Sequence, residues 1–280
     1  MTAADPLADL IRADGARRGQ TVSRLGYFCA PFRPESGPYA DRVIKVYRAL
    51  PDRDALDRLA AAHDDYVAAL RQTGVPLPET EFRLVRTGAA LRPVILQEAL
   101  APETMMRPRM QERPLGEALA MMEAAGAVIA RFWNAADRFE TRIGFHPSIR
   151  NFAVRDGEAI FFDTFPPLIH YSRAEMGKLL LQFSESRLMR WAGPLLGARI
   201  TAIQDEWYSP AETLVGLVGS ACRLRPPDAA AFLDWGRDFA PRAMPRWADE
   251  IAEGLARPPR LPGEWTAVRR MLGLEGEPNL

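Results

Sequence analysis

The run that most constrains the fold is "GFHPSIRNFAVRDGEAIFFDTFPP", residues 144–167. Two short segments of β-type residues in this run are separated by Asp156-Gly157, a dipeptide that favours a tight hairpin turn. Asn151 stands before the first segment and Asp163 after the second. A hairpin brings its two outer ends together, so the sequence predicts an amide and a carboxylate that lie close to each other.

Composition excludes several classes of protein. The 36 basic and 36 acidic residues cancel, which gives no support to a nucleic-acid-binding surface. Cys29 and Cys222 lie far apart without metal-ligand spacing and favour a reduced, cytoplasmic setting. No run reaches the roughly 18 apolar residues of a membrane span, and the N-terminal segment lacks the apolar stretch of a secretory signal. We therefore expect a cytoplasmic protein that binds neither nucleic acid nor membrane.

Lysine is rare in this chain, because only two of the 36 basic residues are lysines, Lys45 and Lys178. Where arginine is the usual surface cation, a retained lysine is more often needed as a compact ammonium. Lys178 falls in the amphipathic "RAEMGKLLLQF", where a solvated lysine is unremarkable. Lys45 lies in "RVIKVYRA", which predicts a strand with Lys45 and Tyr47 on one face and Ile44 on the other.

The order of elements changes along the chain. Residues 21–98 predict strands, one helix that stops before Gly74, and two further strands, "EFRLVRTG" and "RPVILQEA". The remainder predicts helices, one of them opened by a capping box from Ser209 to Glu212, and the single hairpin. We expect an α+β fold with a small β-rich N-terminal lobe, residues 1–98, and a larger helical C-terminal lobe, residues 99–280.

Several motifs in this order resemble the protein-kinase-like superfamily, and most closely its aminoglycoside phosphotransferase and choline kinase branch. They are "VIK" at 43–45, "ALRQTGVPLP", "PVILQEALAP", and the pair formed by Asn151 and Asp163. The resemblance covers roughly residues 20–170 by motif order. It implies a two-lobed fold that binds ATP and Mg²⁺ between the lobes.

The resemblance assigns roles to named residues on the nucleotide side. Lys45 would bind the α- and β-phosphates of ATP. Its partner on the following helix would be His63, Asp64 or Asp65. We predict Asp64, and we expect Asp65 to lie on the solvated face of the helix. The hinge between the lobes would bring the following residues near the adenine: Gln97, Glu98 and Leu100.

On the metal side, the resemblance makes Asn151 and Asp163 the Mg²⁺ ligands. An amide carbonyl and a carboxylate are oxygen ligands of the kind that this hard cation takes. The alternative is purely structural, with Asn151 capping a turn and Asp163 ending a strand.

Three features depart from the family pattern: the catalytic-loop motif, the glycine-rich loop and the "DFG" motif. His146 stands five residues before Asn151, where the family has its catalytic Asp, and Gly144 replaces the His of that motif. The glycine-rich loop is reduced to Gly26, and the family's "DFG" reads "DTF" from Asp163.

The first departure leaves the function open between two main alternatives. A neutral His146 could accept the acceptor's proton, which predicts an atypical phosphotransferase. Alternatively, His146 marks lost chemistry in a pseudokinase that serves as a nucleotide-binding or protein-interaction module, or it only bonds backbone in a tight loop. No "APE" motif follows Asp163, so we expect a small hydroxylated or amino compound as acceptor rather than a protein.

Overall fold

The computed structural model describes residues 5–18, 28–183 and 204–256. The fold is α+β, with two small antiparallel sheets. The strands are β1 (Arg42–Val46), β2 (Thr80–Thr87), β3 (Ala90–Glu98), β4 (Phe152–Arg155) and β5 (Glu158–Phe161). The helices within the described ranges are α1 (Pro6–Arg18), α2 (Arg53–Gln72), α3 (Met106–Glu112), α4 (Leu115–Ala136), α5 (Arg173–Phe183), α6 (Pro210–Leu224), α7 (Ala229–Ala243) and α8 (Ala248–Ala256).

The N-terminal sheet has the strand order β1-β3-β2 and is antiparallel throughout. Side chains of β1 alternate between its two faces, as the sequence predicts. Ile44 packs with Leu7 and Ile11 of α1 in one apolar cluster, whereas Tyr47, just after the strand, belongs to the main core. Lys45 therefore points away from α1 and towards the body of the molecule.

Helix α2 follows β1 and presents its apolar stripe to the main core. Asp52 caps its first turn, with the carboxylate accepting a hydrogen bond from Ala55 N at 3.1 Å. The helix ends at Gln72, and Gly74 then adopts a φ of +77°, a conformation that favours glycine. The predicted helix and its end are thus confirmed.

Polar contacts tie α2 to the helical part of the chain. Arg58 Nη2 donates to the carbonyl oxygen of His170 at 3.0 Å, and His170 Nε2 lies 2.9 Å from Asp65 Oδ2. Tyr66 Oη donates to the carbonyl oxygen of Gly144 at 3.1 Å. Arg58 lies about two turns before Asp65 and Tyr66, so these contacts attach the helix at two places along its length.

The helical part is built around α4, which has ten buried residues. The capping box that opens α6 is confirmed, because Ser209 Oγ accepts from Glu212 N at 3.2 Å. The stretch after the sheet contains α3, whose Met106 and Met110 are fully buried. None of the described helices is long and apolar enough to cross a membrane.

Some predicted features fall outside the described residues. These are Gly26 and the segments 184–203 and 257–280.

Candidate functional site

Lys45 lies where the sheet meets the helical part of the chain. Only 7% of the residue is exposed, and its Nζ donates a hydrogen bond of 2.6 Å to the carbonyl oxygen of Phe162, 117 positions later in the chain. Burial lowers the pKa of Lys45 below its ordinary value, and the nearby charge of Asp163 opposes that effect. The strand lysine therefore sits beside the segment that carries the predicted metal ligand.

The structure places the three candidate partners on α2 in different environments. The Asp64 side chain is 75% exposed, so the chosen candidate faces solvent. Asp65 is occupied by its contact with His170. His63 is the one that is buried, and it lies close enough to Lys45 for the ammonium charge to act on its ring.

His63 is held as a neutral imidazole. Its Nε2 lies 3.0 Å from Thr164 Oγ1, and its ring lies 5.1 Å from that of Phe82 between ring centres. Burial, together with the charge of Lys45, lowers its pKa to about 3. His63 thus carries no charge at neutral pH.

The predicted hairpin is confirmed and brings Asn151 and the Asp163 segment together. Strands β4 and β5 pair with Phe152 opposite Phe161, and the backbone N–H of Phe162 donates to the carbonyl oxygen of Asn151 at 3.0 Å. The connecting Asp156 and Gly157 both have positive φ, as a tight hairpin turn requires. Asp163 is the next residue beyond this pair.

Asn151 is buried and its side chain is oriented by the preceding loop. Its Nδ2 donates to the carbonyl oxygen of His146 at 3.2 Å. Because the amide nitrogen is used in this way, the carbonyl oxygen Oδ1 is the end of the side chain left to act as a ligand.

The negative charge of Asp163 acts on several other groups of the site. Among the described residues, its carboxylate makes no hydrogen bond or ion pair. Four groups around it have pKa values shifted mainly by burial, and the charge of Asp163 raises the pKa of each: Lys45, Tyr47, Tyr66 and His146. A partly exposed carboxylate among these groups is suited to binding a cation.

His146 is close enough to Asp163 for the charge of that carboxylate to act on its ring. Its ring packs against that of Trp207, with 4.6 Å between ring centres. Burial lowers the pKa of His146 below its ordinary value of 6.5, while Asp163 raises it and Arg150 lowers it. The net direction is downward, so the imidazole is neutral at pH 7 and able to accept a proton.

The predicted hinge residues lie at the end of β3. Gln97 is buried, and its side chain donates to Thr80 Oγ1 at 3.0 Å. The backbone N–H of Glu98 is bonded to the carbonyl oxygen of Glu79 at 2.8 Å. Of the three candidates, only Leu100 has a backbone N–H without such a bond within the described part of the chain. The geometry thus favours Leu100 over the other two for contact with a ligand.

Two further observations bear on the site. No group of three or more His, Cys, Asp or Glu side chains arranged to hold a metal occurs among the described residues. A surface depression of about 540 Å³ lies between the β1–α2 connection and the β2–β3 turn, and none of the predicted site residues lines it.

Gly144 stands at a closely packed position. A Cβ added to Gly144 would lie 2.8 Å from Tyr208 Cε1 and 3.0 Å from the carbonyl oxygen of Trp207. The same carbonyl oxygen accepts the backbone N–H of Phe145 at 2.7 Å, which fixes the two segments together. Segment 204–208 therefore occupies the space that a side chain at position 144 would need.

Gly144→Ala is expected to lower the free energy of unfolding by roughly 1–3 kcal/mol, because either Tyr208 or the backbone has to shift. Urea denaturation measures the change. Gly116→Ala is the control, since a Cβ there would meet nothing within 4 Å and alanine is the better helix former. Equal stabilities of the two variants would contradict the packing explanation.

The model of a family of unknown function, DUF6206, matches residues 6–276. The chain belongs to this family. The DUF6206 match contains the sheet, the hairpin and every site residue described above. No curated protein matches the chain.

Proposed function

We propose that this DUF6206 protein has a kinase-like, two-lobed fold that binds ATP with Mg²⁺, and that it transfers a phosphoryl group to a small hydroxylated or amino compound. The observation that carries the proposal is the contact between Lys45 Nζ and the carbonyl oxygen of Phe162 at 2.6 Å. It joins a strand lysine to the residue before Asp163, whose carboxylate has no hydrogen bond within the described residues, and a lysine close to a carboxylate is the pairing that phosphate and metal binding in this fold uses.

The residues present fit a divalent cation. Asp163 offers a partly exposed carboxylate, and Asn151 offers an amide oxygen at the adjacent end of the hairpin. Both are hard oxygen donors of the kind that Mg²⁺ takes, with waters and phosphate oxygens filling the remaining positions. When bound, the ion would neutralise charge on the phosphates.

The remaining residues supply the other parts of the reaction. Lys45 would bind phosphate oxygens with its ammonium, and binding an anion there offsets the cost of keeping that charge buried. The acceptor's oxygen or nitrogen attacks the γ-phosphorus, the bond from that phosphorus to the bridging oxygen of ADP breaks, and ADP leaves. His146 takes the proton that the acceptor loses and returns it to solvent.

ATP with Mg²⁺ is expected to raise the melting temperature. At about 100 times the dissociation constant, the native state gains about 2.7 kcal/mol. A chain of this size gains roughly 2–4 °C per kcal/mol, so the rise is on the order of 5–10 °C. Asp163→Asn should remove the metal-dependent part of the rise while keeping the fold, because the amide preserves the shape of the side chain. No rise with any nucleotide at millimolar concentration would contradict the proposal.

A labelling experiment sharpens this test, because the chain has only two lysines. An ATP derivative with an acyl group on its terminal phosphate acylates an amine that lies next to the bound phosphates. Lys45 is expected to be labelled and to be protected by excess ATP. Lys178 lies on α5 and serves as the internal control, since its labelling should not respond to ATP.

The second candidate function is non-catalytic nucleotide binding. The observation that favours it is the imidazole of His146, packed on Trp207, at the position where the kinase-like superfamily has a carboxylate. This candidate predicts the same thermal shift and the same labelling of Lys45. The two functions differ only in whether phosphoryl transfer occurs.

A further inference from the structure

We propose that His63 is a positioning residue: acting through Thr164, it fixes the Asp163 carboxylate beside the Lys45 ammonium. The role of Asp163 as a metal ligand rests on the proposed function, whereas the fixing of the segment rests on geometry alone.

The contact between His63 and Thr164 is buried and joins two segments that are far apart in the chain. The His63 side chain is 1% exposed and Thr164 is fully buried. His63 Nε2 and Thr164 Oγ1 are 3.0 Å apart, and the two residues are 101 positions apart in the chain. Thr164 directly follows Asp163, so this contact fixes the backbone at the next residue after the carboxylate.

The residue before Asp163 is fixed as well. The carbonyl oxygen of Phe162 accepts a hydrogen bond from Lys45 Nζ at 2.6 Å. The backbone N–H of Phe162 donates to the carbonyl oxygen of Asn151 at 3.0 Å. Asp163 is therefore held by bonds on both of its neighbours, while its own carboxylate makes none within the described residues. Such an arrangement fixes the position of the carboxylate and leaves its oxygens available to bind a ligand.

A neutral ring suits this role better than a carboxylate would. His63 lies close enough to Lys45 to be affected by its charge, and its ring orientation is set by packing on Phe82. A second carboxylate at this point would compete with Asp163 for the ammonium. The imidazole supplies a hydrogen bond to Thr164 and leaves Asp163 as the counter-charge of Lys45.

Thr164→Val tests the inference, because it removes the hydroxyl at nearly constant volume, and Thr164→Ser restores the hydroxyl. Thr213→Val is the matched control: Thr213 is also buried, and its Oγ1 accepts from Trp133 Nε1 at 2.8 Å, on α6. The first measurement is backbone hydrogen exchange of residues 161–166, without any ligand. Exchange should be roughly fivefold faster in Thr164→Val, and close to wild type in the other two variants.

The second measurement is the Mg²⁺ concentration that gives half of the ATP-dependent rise in melting temperature. Residues that orient a metal ligand typically contribute 10–100-fold to metal affinity. We expect Thr164→Val to need roughly tenfold more Mg²⁺, with Thr164→Ser and Thr213→Val within about threefold of wild type. His63→Leu removes the same bond from the other side and replaces Thr164→Val if that variant does not fold.

The outcomes separate the two proposals. Unchanged exchange in residues 161–166 would overturn the inference, and so would faster exchange with an unchanged Mg²⁺ requirement, because the bond would then be structural only. A wild-type protein that Mg²⁺ and ATP do not stabilise would overturn the proposed function instead. The exchange measurement then decides by itself whether His63 and Thr164 fix the segment.

Discussion

Replacing His146 with alanine is expected to lower turnover by roughly 10²–10⁴-fold, the usual worth of a positioned proton acceptor. The dissociation constant for ATP should stay within about twofold, because the proposed function assigns the nucleotide and metal contacts to Lys45, Asn151 and Asp163. His170→Ala is the control, since His170 is exposed and bonded to Asp65. Steady-state kinetics with a small-molecule acceptor, combined with a direct binding titration, provides both quantities.

The pH profile gives a second signature of His146. Burial lowers its pKa below 6.5, so the imidazole is the neutral, proton-accepting form at pH 7. Activity should be level above that pH and fall as the pH drops through the lowered pKa, because His146 then becomes protonated. His146→Asp introduces the carboxylate that the kinase-like resemblance implies at this position and should move the acid limb to still lower pH. His146→Ala should have no such limb.

Two outcomes would decide against this mechanism. Wild-type turnover in His146→Ala would make the residue structural. Binding of ATP with Mg²⁺ but no phosphoryl transfer to any acceptor or to water would favour the non-catalytic function.

The free energy of unfolding is expected to fall by about 2 kcal/mol between pH 7 and pH 5 through His63 alone. The unfolded state binds a proton at an ordinary histidine pKa of about 6.5, whereas the folded state binds it only near a pKa of about 3. Below pH 6.5 the unfolded state therefore holds more protons, and each unit of pH costs up to about 1.4 kcal/mol. The contribution is intact above pH 6.5 and lost progressively down to about pH 3.

Urea denaturation at pH 7, 6 and 5 measures this loss, and His63→Gln should reduce it by about the same 2 kcal/mol. His146 also has a lowered pKa and acts in the same direction, so the difference between variants is the quantity to compare. His170→Gln keeps His63 and should retain the full loss. A wild-type pH dependence equal to that of His63→Gln would show that His63 is not the buried neutral group.

The elements that sequence reasoning identified are those with a strong local signal. The stripe of α2, its end near Gly74, the turn at Asp156-Gly157 and the capping box at Ser209 all depend on short-range patterns. Each is present in the structure. Such patterns act within a few residues and need no tertiary context.

The misses have physical reasons as well. Among its residues 6–15, whose side chains are described, helix α1 buries Leu7, Ala8 and Ile11, which is too short a stripe to stand out from its polar surroundings. Helix α3 contains Pro108 in its first turn, and its buried pair, Met106 and Met110, lies among arginines.

The prediction of Asp64 as the partner of Lys45 followed the negative charge that the kinase-like resemblance implies there, rather than the geometry of the helix. His63 stands four residues after Leu59 and four before Val67, so the helical period already placed it on the buried stripe. Its contact with Thr164 depends on chain segments 101 residues apart, and no local pattern predicts it.

The contacts that join the sheet and α2 to the helical part of the chain affect how the protein unfolds. Tyr47 stacks on Phe165 with 3.9 Å between ring centres, and the main core continues without a break from the sheet into the helices. A chain cut after Glu98 would expose apolar surface on both pieces and leave Arg58 and Tyr66 without their acceptors. The boundary at residue 98 therefore divides the order of elements along the chain, whereas the two sides of it share one core, and we expect them to unfold together in a single transition.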